Sequence, residues 1–317
     1  MKRFIVRSVW FLLVLVAGYS LLVLSWGLFT PGWMQKNLVY KLGHKGHSWS
    51  RYQEVKTAGK VDILFAGSSL CMRGFDPRIF RKHGYEVFNL GSGGQSPIQT
   101  RWLLEKHLDK LQPGLVVVEV NPYVLSRDGI EPGLDLISNH DFDLSLFGMV
   151  WQTENIKMFN TFIYSMMRQT FGLNRNFRES RVKQDDTYVD GGYVEKTLER
   201  FNKENFSGED RYILGPVDYQ QEALRDIVDL LKSKKIPYML VQPPVTGFLL
   251  KEHQKAFEAD SFFVSLGNYV NFNPNDFLND SLHFFDSRHL NQEGVEIFNE
   301  VFIEEVLKES QWTSNNN

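Results

Sequence analysis

The residue types and spacings that can do chemistry here are the serines of Gly67-Ser68-Ser69-Leu70 and the Asp286/His289 pair of Asp286-Ser287-Arg288-His289. A serine hydroxyl is a poor nucleophile at neutral pH and needs a base within hydrogen-bond reach. Histidine is such a base when a third group fixes its tautomer, and a carboxylate three residues before it can share its turn. A Ser69–His289–Asp286 relay would support acyl transfer through a serine ester. The oxyanion that develops needs donors, which the Ser69 N–H and the glycine-rich turn after the second strand can offer. Loss of one such donor typically costs about 10²–10³ in rate.

The two strings can meet only if the chain between them returns to one edge of a sheet. The apolar run Val61–Ala66 reads as a buried strand, Pro77–His83 as a short helix and Glu86–Leu90 as a second strand. Ile98–Leu111 carries a helical apolar face, and Leu115–Val120 is a third, fully apolar strand. Buried strands joined by helical crossovers imply a parallel sheet with helices on both sides, the α/β class. From Ser126 to Tyr212 the rhythm breaks, with one helix expected around Trp151 to Phe171 and a turn-rich part at Asp190-Gly191-Gly192. The pattern resumes with a helix over Tyr219–Lys234 and a strand over Tyr238–Gln242, stopped by Pro243-Pro244. A helix near Leu250–Phe263, a strand near Tyr269–Phe272 and a terminal helix from Gln292 to Glu309, with Asn291 as N-cap, complete the reading.

Upstream of this domain, Val9–Phe29 is uncharged and has about the 20 residues a bilayer core requires. Trp10 and Trp26 suit the two interfaces, so the segment reads as a membrane-spanning helix rather than a cleaved signal. Lys2, Arg3 and Arg7 precede it and Lys36, Lys41 and Lys45 follow, a nearly even count. A short basic head before a first span places the downstream domain outside. The organisation expected is a cytoplasmic 1–8, an anchor 9–29, a juxtamembrane linker 30–60 leading into a short helix, and a catalytic domain 61–310 with an insertion at about 126–212.

Composition narrows the partners. A net charge of −3 over 317 residues gives no basic face for nucleic acid. The single cysteine, Cys71, excludes an internal disulfide and reads as a small buried hydrophobe. Trp151, Met158, Phe159, Phe162, Met166 and Met167 make an aromatic and methionine stripe that reads as helix packing, with covering the site or touching lipid as the other readings. No metal or other cofactor is called for: His44 and His47 lie among glycines and read as solvated, as do the acids Asp141, Asp143, Asp185 and Asp186. Gly91-Ser92-Gly93-Gly94 lacks dinucleotide-binding spacing, and no Gly-x-Ser-x-Gly elbow occurs. The closing Ser-Asn-Asn-Asn has the composition of disorder.

With these residues in view, the chain resembles the SGNH (GDSL-like) hydrolase superfamily, whose four sequence blocks occur here in order. Gly67-Ser68-Ser69-Leu70 is similar to the Gly-Asp-Ser-Leu block and implies Ser69 as nucleophile. Asn89-Leu90-Gly91-Ser92-Gly93-Gly94-Gln95-Ser96 matches the glycine block, with Gly94 as an oxyanion donor. Val118-Glu119-Val120-Asn121-Pro122 stands where Gly-x-Asn-Asp is expected and implies Asn121 as the third donor, although Glu119 replaces the glycine and Pro122 the aspartate. Asp286-Ser287-Arg288-His289 matches the Asp-x-x-His block. The resemblance implies a three-layer α/β/α, flavodoxin-like domain behind a single-pass anchor in a bacterial cytoplasmic membrane, facing the periplasm or exterior. It further implies a serine O-acyltransferase or esterase acting on O-acyl groups, acetyl above all, of a cell-envelope glycan beside a membrane-bound O-acyltransferase. The altered third block supports the alternative of a catalytically silent polysaccharide-binding or scaffold relative.

Overall fold

The computed structural model describes residues 1–44, 46–205, 215–252 and 259–308. Lys45, residues 206–212 of the expected insertion, the middle of the Leu250–Phe263 helix, Glu309 and the closing Ser-Asn-Asn-Asn lie outside the described residues.

The described residues form eight strands: β1 (Ile63–Ala66), β2 (Val87–Asn89), β3 (Leu115–Glu119), β4 (Val182–Lys183), β5 (Asp186–Val189), β6 (Tyr193–Lys196), β7 (Tyr238–Gln242) and β8 (Tyr269–Asn271). Five of them form one sheet in the order β2-β1-β3-β7-β8. Every pairing in it is parallel, with Ile63 opposite both Val87 and Leu115, Val117 opposite Met239 and Val241 opposite Val270.

Strand periodicity divides the core in two. Leu64, Ala66, Val116, Val118 and Leu240 face the helices Pro97–Leu111 and Asp218–Ser233, where Leu103, Leu108, Leu224, Ile227 and Leu231 are buried. Their neighbours Ile63, Phe65, Val117, Met239 and Val241 face Phe75, Phe80, Phe298 and Phe302 on the other side. The sheet is therefore covered on both faces, which is why β1, β3 and β7 read as continuous rather than alternating apolar runs.

The insertion is more structured than its sequence implies. The helix expected from Trp151 to Phe171 is two helices, Leu146–Gln152 and Ile156–Thr170, parted where Glu154 takes a left-handed φ of 47°. A further helix, Ile130–Asn139, precedes them, and β4-β5-β6 form a small antiparallel sheet in the turn-rich part. The Leu250–Phe263 region begins as a helix over Gly247–Glu252 and ends as one over Ala259–Leu266.

Two polar readings are corrected. His47 is fully buried beside Tyr188 rather than solvated, with ring centroids 5.7 Å apart. Asp186 is no loose loop acid, since it receives two hydrogen bonds from Arg73 Nη2 at 2.8 and 2.9 Å. Asp141 and Asp143 are held by Lys56 and Lys106 respectively.

One N-terminal helix, Lys2–Phe29, is long and apolar enough to cross a membrane. Its first half is exposed all round, but from Tyr19 onward one face is covered by the helix Ile156–Thr170. There Val23 packs with Leu38 and Tyr164.

Candidate functional site

Ser69 opens the helix Ser69–Gly74 directly after β1. Ser68 is its N-cap, and the Ser68 hydroxyl accepts the Leu70 N–H at 3.2 Å. This leaves the two serines with different tasks, one tied to the backbone and the other free to face outward. Gly67 is required by close approach, because a Cβ there would lie 2.6 Å from both Cβ and Oε2 of Glu119.

His289 arrives from the far end of the chain. An isolated antiparallel bridge between Phe284 and Leu290 closes its loop, and Thr246 Oγ1 donates to the Ser287 carbonyl at 2.8 Å. Asn291 then caps the helix Gln292–Val301 by accepting the Gly294 N–H at 3.1 Å, as its sequence position implies. In this loop the Asp286 carboxylate meets His289 Nδ1 at 2.8 Å through Oδ2 and 3.0 Å through Oδ1. The Arg288 and His289 backbone N–H groups also donate to Asp286 Oδ1, each at 2.8 Å. The opposite ring nitrogen, Nε2, lies 2.8 Å from Ser69 Oγ. Burial raises the Asp286 pKa, but the charge and hydrogen bond of His289 and the two backbone donors outweigh that and hold it at about 2. An ionised Asp286 fixes the Nδ1–H tautomer, and Nε2 is then free to take the serine proton.

The expected oxyanion donors reach the same place. Ser69, Gly94 and Asn121 line one cavity of about 620 Å³ together with Tyr123, Phe285 and His289. Gly94 has a φ of 67°, and a Cβ on it would meet nothing within 4 Å. Asn89, in the same glycine block, donates to the Cys71 carbonyl at 2.8 Å and accepts the Gly91 N–H at 2.9 Å, which ties the nucleophile helix to the turn carrying Gly94. Cys71 itself is buried as expected, its thiol 3.2 Å from Asn89 Oδ1.

The altered third block does not displace Asn121. Pro122 occupies the first turn of the helix Pro122–Leu125, a position that suits its missing N–H, and Asn121 caps that helix by accepting the Val124 N–H at 3.1 Å. The Asn121 amide donates one hydrogen to Glu119 Oε1 at 2.6 Å and has a second hydrogen left. Glu119 Oε2 accepts the Ser68 N–H at 2.5 Å. Burial pushes the Glu119 carboxyl upward against these hydrogen bonds.

Sequence reasoning missed the cavity's far wall. Glu199, Arg200, Phe201 and Asn202 come from the segment after β6, and Arg288 lies over Tyr123 with 4.1 Å from its Cζ to the ring centroid. Nothing in the sequence marks residues 199–202, because the small sheet that carries them there shows no readable strand pattern.

Fold and site together define a three-layer α/β protein whose serine, histidine and aspartate stand in hydrogen-bond sequence at the carboxyl ends of parallel strands. No family model matches the chain, and no curated protein matches it. Among solved structures it is similar to a GDSL-like lipase from Bacteroides thetaiotaomicron, at 14% identity over 82% of this chain and 97% of that one, with a TM-score of 0.38. It is also similar to a candidate acylhydrolase from Bacteroides fragilis, at 13% identity over 81% of this chain and 94% of that one, with a TM-score of 0.39.

Proposed function

We propose that the protein is a membrane-anchored SGNH-type serine acyl-transfer enzyme that moves or removes an O-acyl group, acetyl in the first instance, on a cell-envelope glycan. One observation carries the reading: His289 Nε2 is 2.8 Å from Ser69 Oγ while its Nδ1 is held by Asp286. In the first half-reaction Ser69 Oγ bonds to the acyl carbonyl carbon and its proton passes to His289 Nε2. The carbonyl oxygen, now an oxyanion, takes hydrogen bonds from the Ser69 and Gly94 N–H groups and the spare Asn121 amide hydrogen. Collapse breaks the ester bond, the departing alkoxide takes the proton from His289, and the acyl group stays on Ser69. An acceptor hydroxyl, of water or of a sugar, then attacks the serine ester and gives its proton to His289, and Ser69 leaves with that proton.

The glycan assignment is supported by the cavity wall, which combines Glu199, Arg200, Asn202 and Arg288 with the rings of Tyr123, Phe201 and Phe285. Its size is that of a small-ligand site, and mixed hydrogen-bonding and aromatic walls suit sugars. The placement outside the cell rests on the apolar run Val9–Phe29 and on Lys2, Arg3 and Arg7 ahead of it in the same helix. A membrane-bound O-acyltransferase as donor partner belongs to the same proposal.

The test is covalent labelling of the full-length, detergent-solubilised protein with a fluorophosphonate. Labelling that disappears in Ser69→Ala and His289→Ala is expected. Labelling that persists in Ser69→Ala removes Ser69 from the role, and no labelling of the parent chain favours a silent glycan-binding relative. Comparing acyl groups on envelope polysaccharides from cells with and without the protein identifies the acceptor.

A further inference from the structure

The N-terminal helix and the helix Ile156–Thr170 are registered against each other. Tyr19 Oη donates to Asn160 Oδ1 at 2.6 Å, and eight residues on, a Cβ on Gly27 would lie 2.3 Å from the Tyr164 ring. Residue numbers rise together along both helices, so the two run in the same direction, and the start of the second points toward the start of the first.

This direction has a strong effect on depth. Tyr19 lies about 15 Å from Val9 and about 15 Å from Phe29 at 1.5 Å per residue, the middle of the apolar run. Sliding a span of about 20 residues back as far as Phe4 still leaves Tyr19 inside it. Asn160 therefore lies level with the apolar slab, and the helix start at Ile156, one turn earlier, points along the slab rather than back toward the linker. The preceding helix Leu146–Gln152 is fastened to the same end, with Trp151 and Phe147 ring centroids 6.1 and 6.0 Å from that of Phe159.

The side chains at this elbow match that depth. Leu144, Phe147, Trp151 and Ile156 are 71, 45, 65 and 52% exposed, four large apolar groups gathered on one elbow beside the N-terminal helix. Of the charged neighbours, Asp143 is paired with Lys106, while Glu154 and Lys157 flank the cluster.

We propose that the elbow of residues 144–159 inserts into the acyl-chain region beside the N-terminal helix, as a second, non-spanning membrane contact that holds the domain at a fixed tilt. This rests on the reading of Val9–Phe29 as a membrane anchor. The test uses the full chain with single cysteines at Phe11, Trp151, Ile156 and Lys82, each carrying an environment-sensitive fluorophore. Cys71 is buried and stays unlabelled. The variants are reconstituted in phosphatidylcholine/phosphatidylglycerol vesicles with or without chain-spin-labelled lipid. Loss of emission at Trp151→Cys and Ile156→Cys comparable to that at Phe11→Cys, with Lys82→Cys unquenched, is the expected result. Quenching at Phe11→Cys with Trp151→Cys and Ile156→Cys as bright as Lys82→Cys overturns the elbow while sparing the anchor. Quenching at none of them overturns the anchor and the elbow together. An elbow shielded from water yet unquenched by lipid means that protein covers it, and also overturns the proposal.

Discussion

Glu119 and Asn121 share a hydrogen bond of 2.6 Å in which the buried carboxylate accepts from the side-chain amide that faces the cavity. Glu119 thus does the work of a splint: its second oxygen holds the Ser68 N–H, so one side chain aligns the serine turn and the amide across from it.

Replacing Glu119 with Gln leaves an amide that cannot accept from both donors. Unfolding free energy is expected to fall by about 1–3 kcal/mol, the usual cost of an unsatisfied buried donor. The turnover of an activated aryl acetate is expected to fall mainly in kcat, by up to about 10²–10³ if the Asn121 donor is lost. Denaturation curves and the split between kcat and KM check this, and an unchanged kcat would show that Asn121 is not held by Glu119 for the reaction.

The adjacent serines separate cleanly. Ser69→Ala is expected to abolish fluorophosphonate labelling with little change in Tm, since its hydroxyl meets His289 rather than the backbone. Ser68→Ala removes an N-cap and is expected to cost about 1 kcal/mol while labelling persists. The reverse pattern in gel fluorescence would exchange their roles.

Asp286 supplies a pH signature. Its folded pKa of about 2 lies below its ordinary 3.8, so the stability it contributes is complete above about pH 4 and is lost as pH falls toward 2. Its side chain is 45% exposed, and solvent screening reduces the contribution to about 1 kcal/mol. Asp286→Asn is expected to flatten that part of the Tm-against-pH curve, and a parallel curve for parent and variant would exclude the linkage.

Gly94→Ala tests the turn rather than the cavity. The left-handed φ costs an alanine about 1–2 kcal/mol, and no atom blocks the new methyl. A folded protein with modestly lowered Tm and sharply reduced kcat is expected, as its N–H moves. Undiminished kcat in a folded variant would remove Gly94 from the oxyanion donors.

What could be read in the sequence depended on how many faces of an element are covered. β1, β3 and β7 are buried on both sides, so their apolar runs were legible, and Ser69, Asp286 and His289 lie beside them at local spacings that survive folding. The break at Glu154 was not legible because apolar residues keep helical spacing on both sides of it, from Met149 and Val150 to Met158 and Phe162. The two to four residues of β4, β5 and β6 are too short for periodicity to show. His47 looked solvated because its burial is made by Tyr188, which the chain supplies about 140 residues later.

Ser69 and His289 stand 220 residues apart, close to the full extent of the domain. A growing chain therefore carries an ordinary, unreactive serine until nearly its last segment has been made and docked, because synthesis delivers the N-terminal part first. On the proposed mechanism, reactivity is the final property the molecule acquires. A ribosome-stalled chain ending before Asp286 is expected to remain unlabelled by fluorophosphonate; labelling of such a chain would mean that another base activates the serine.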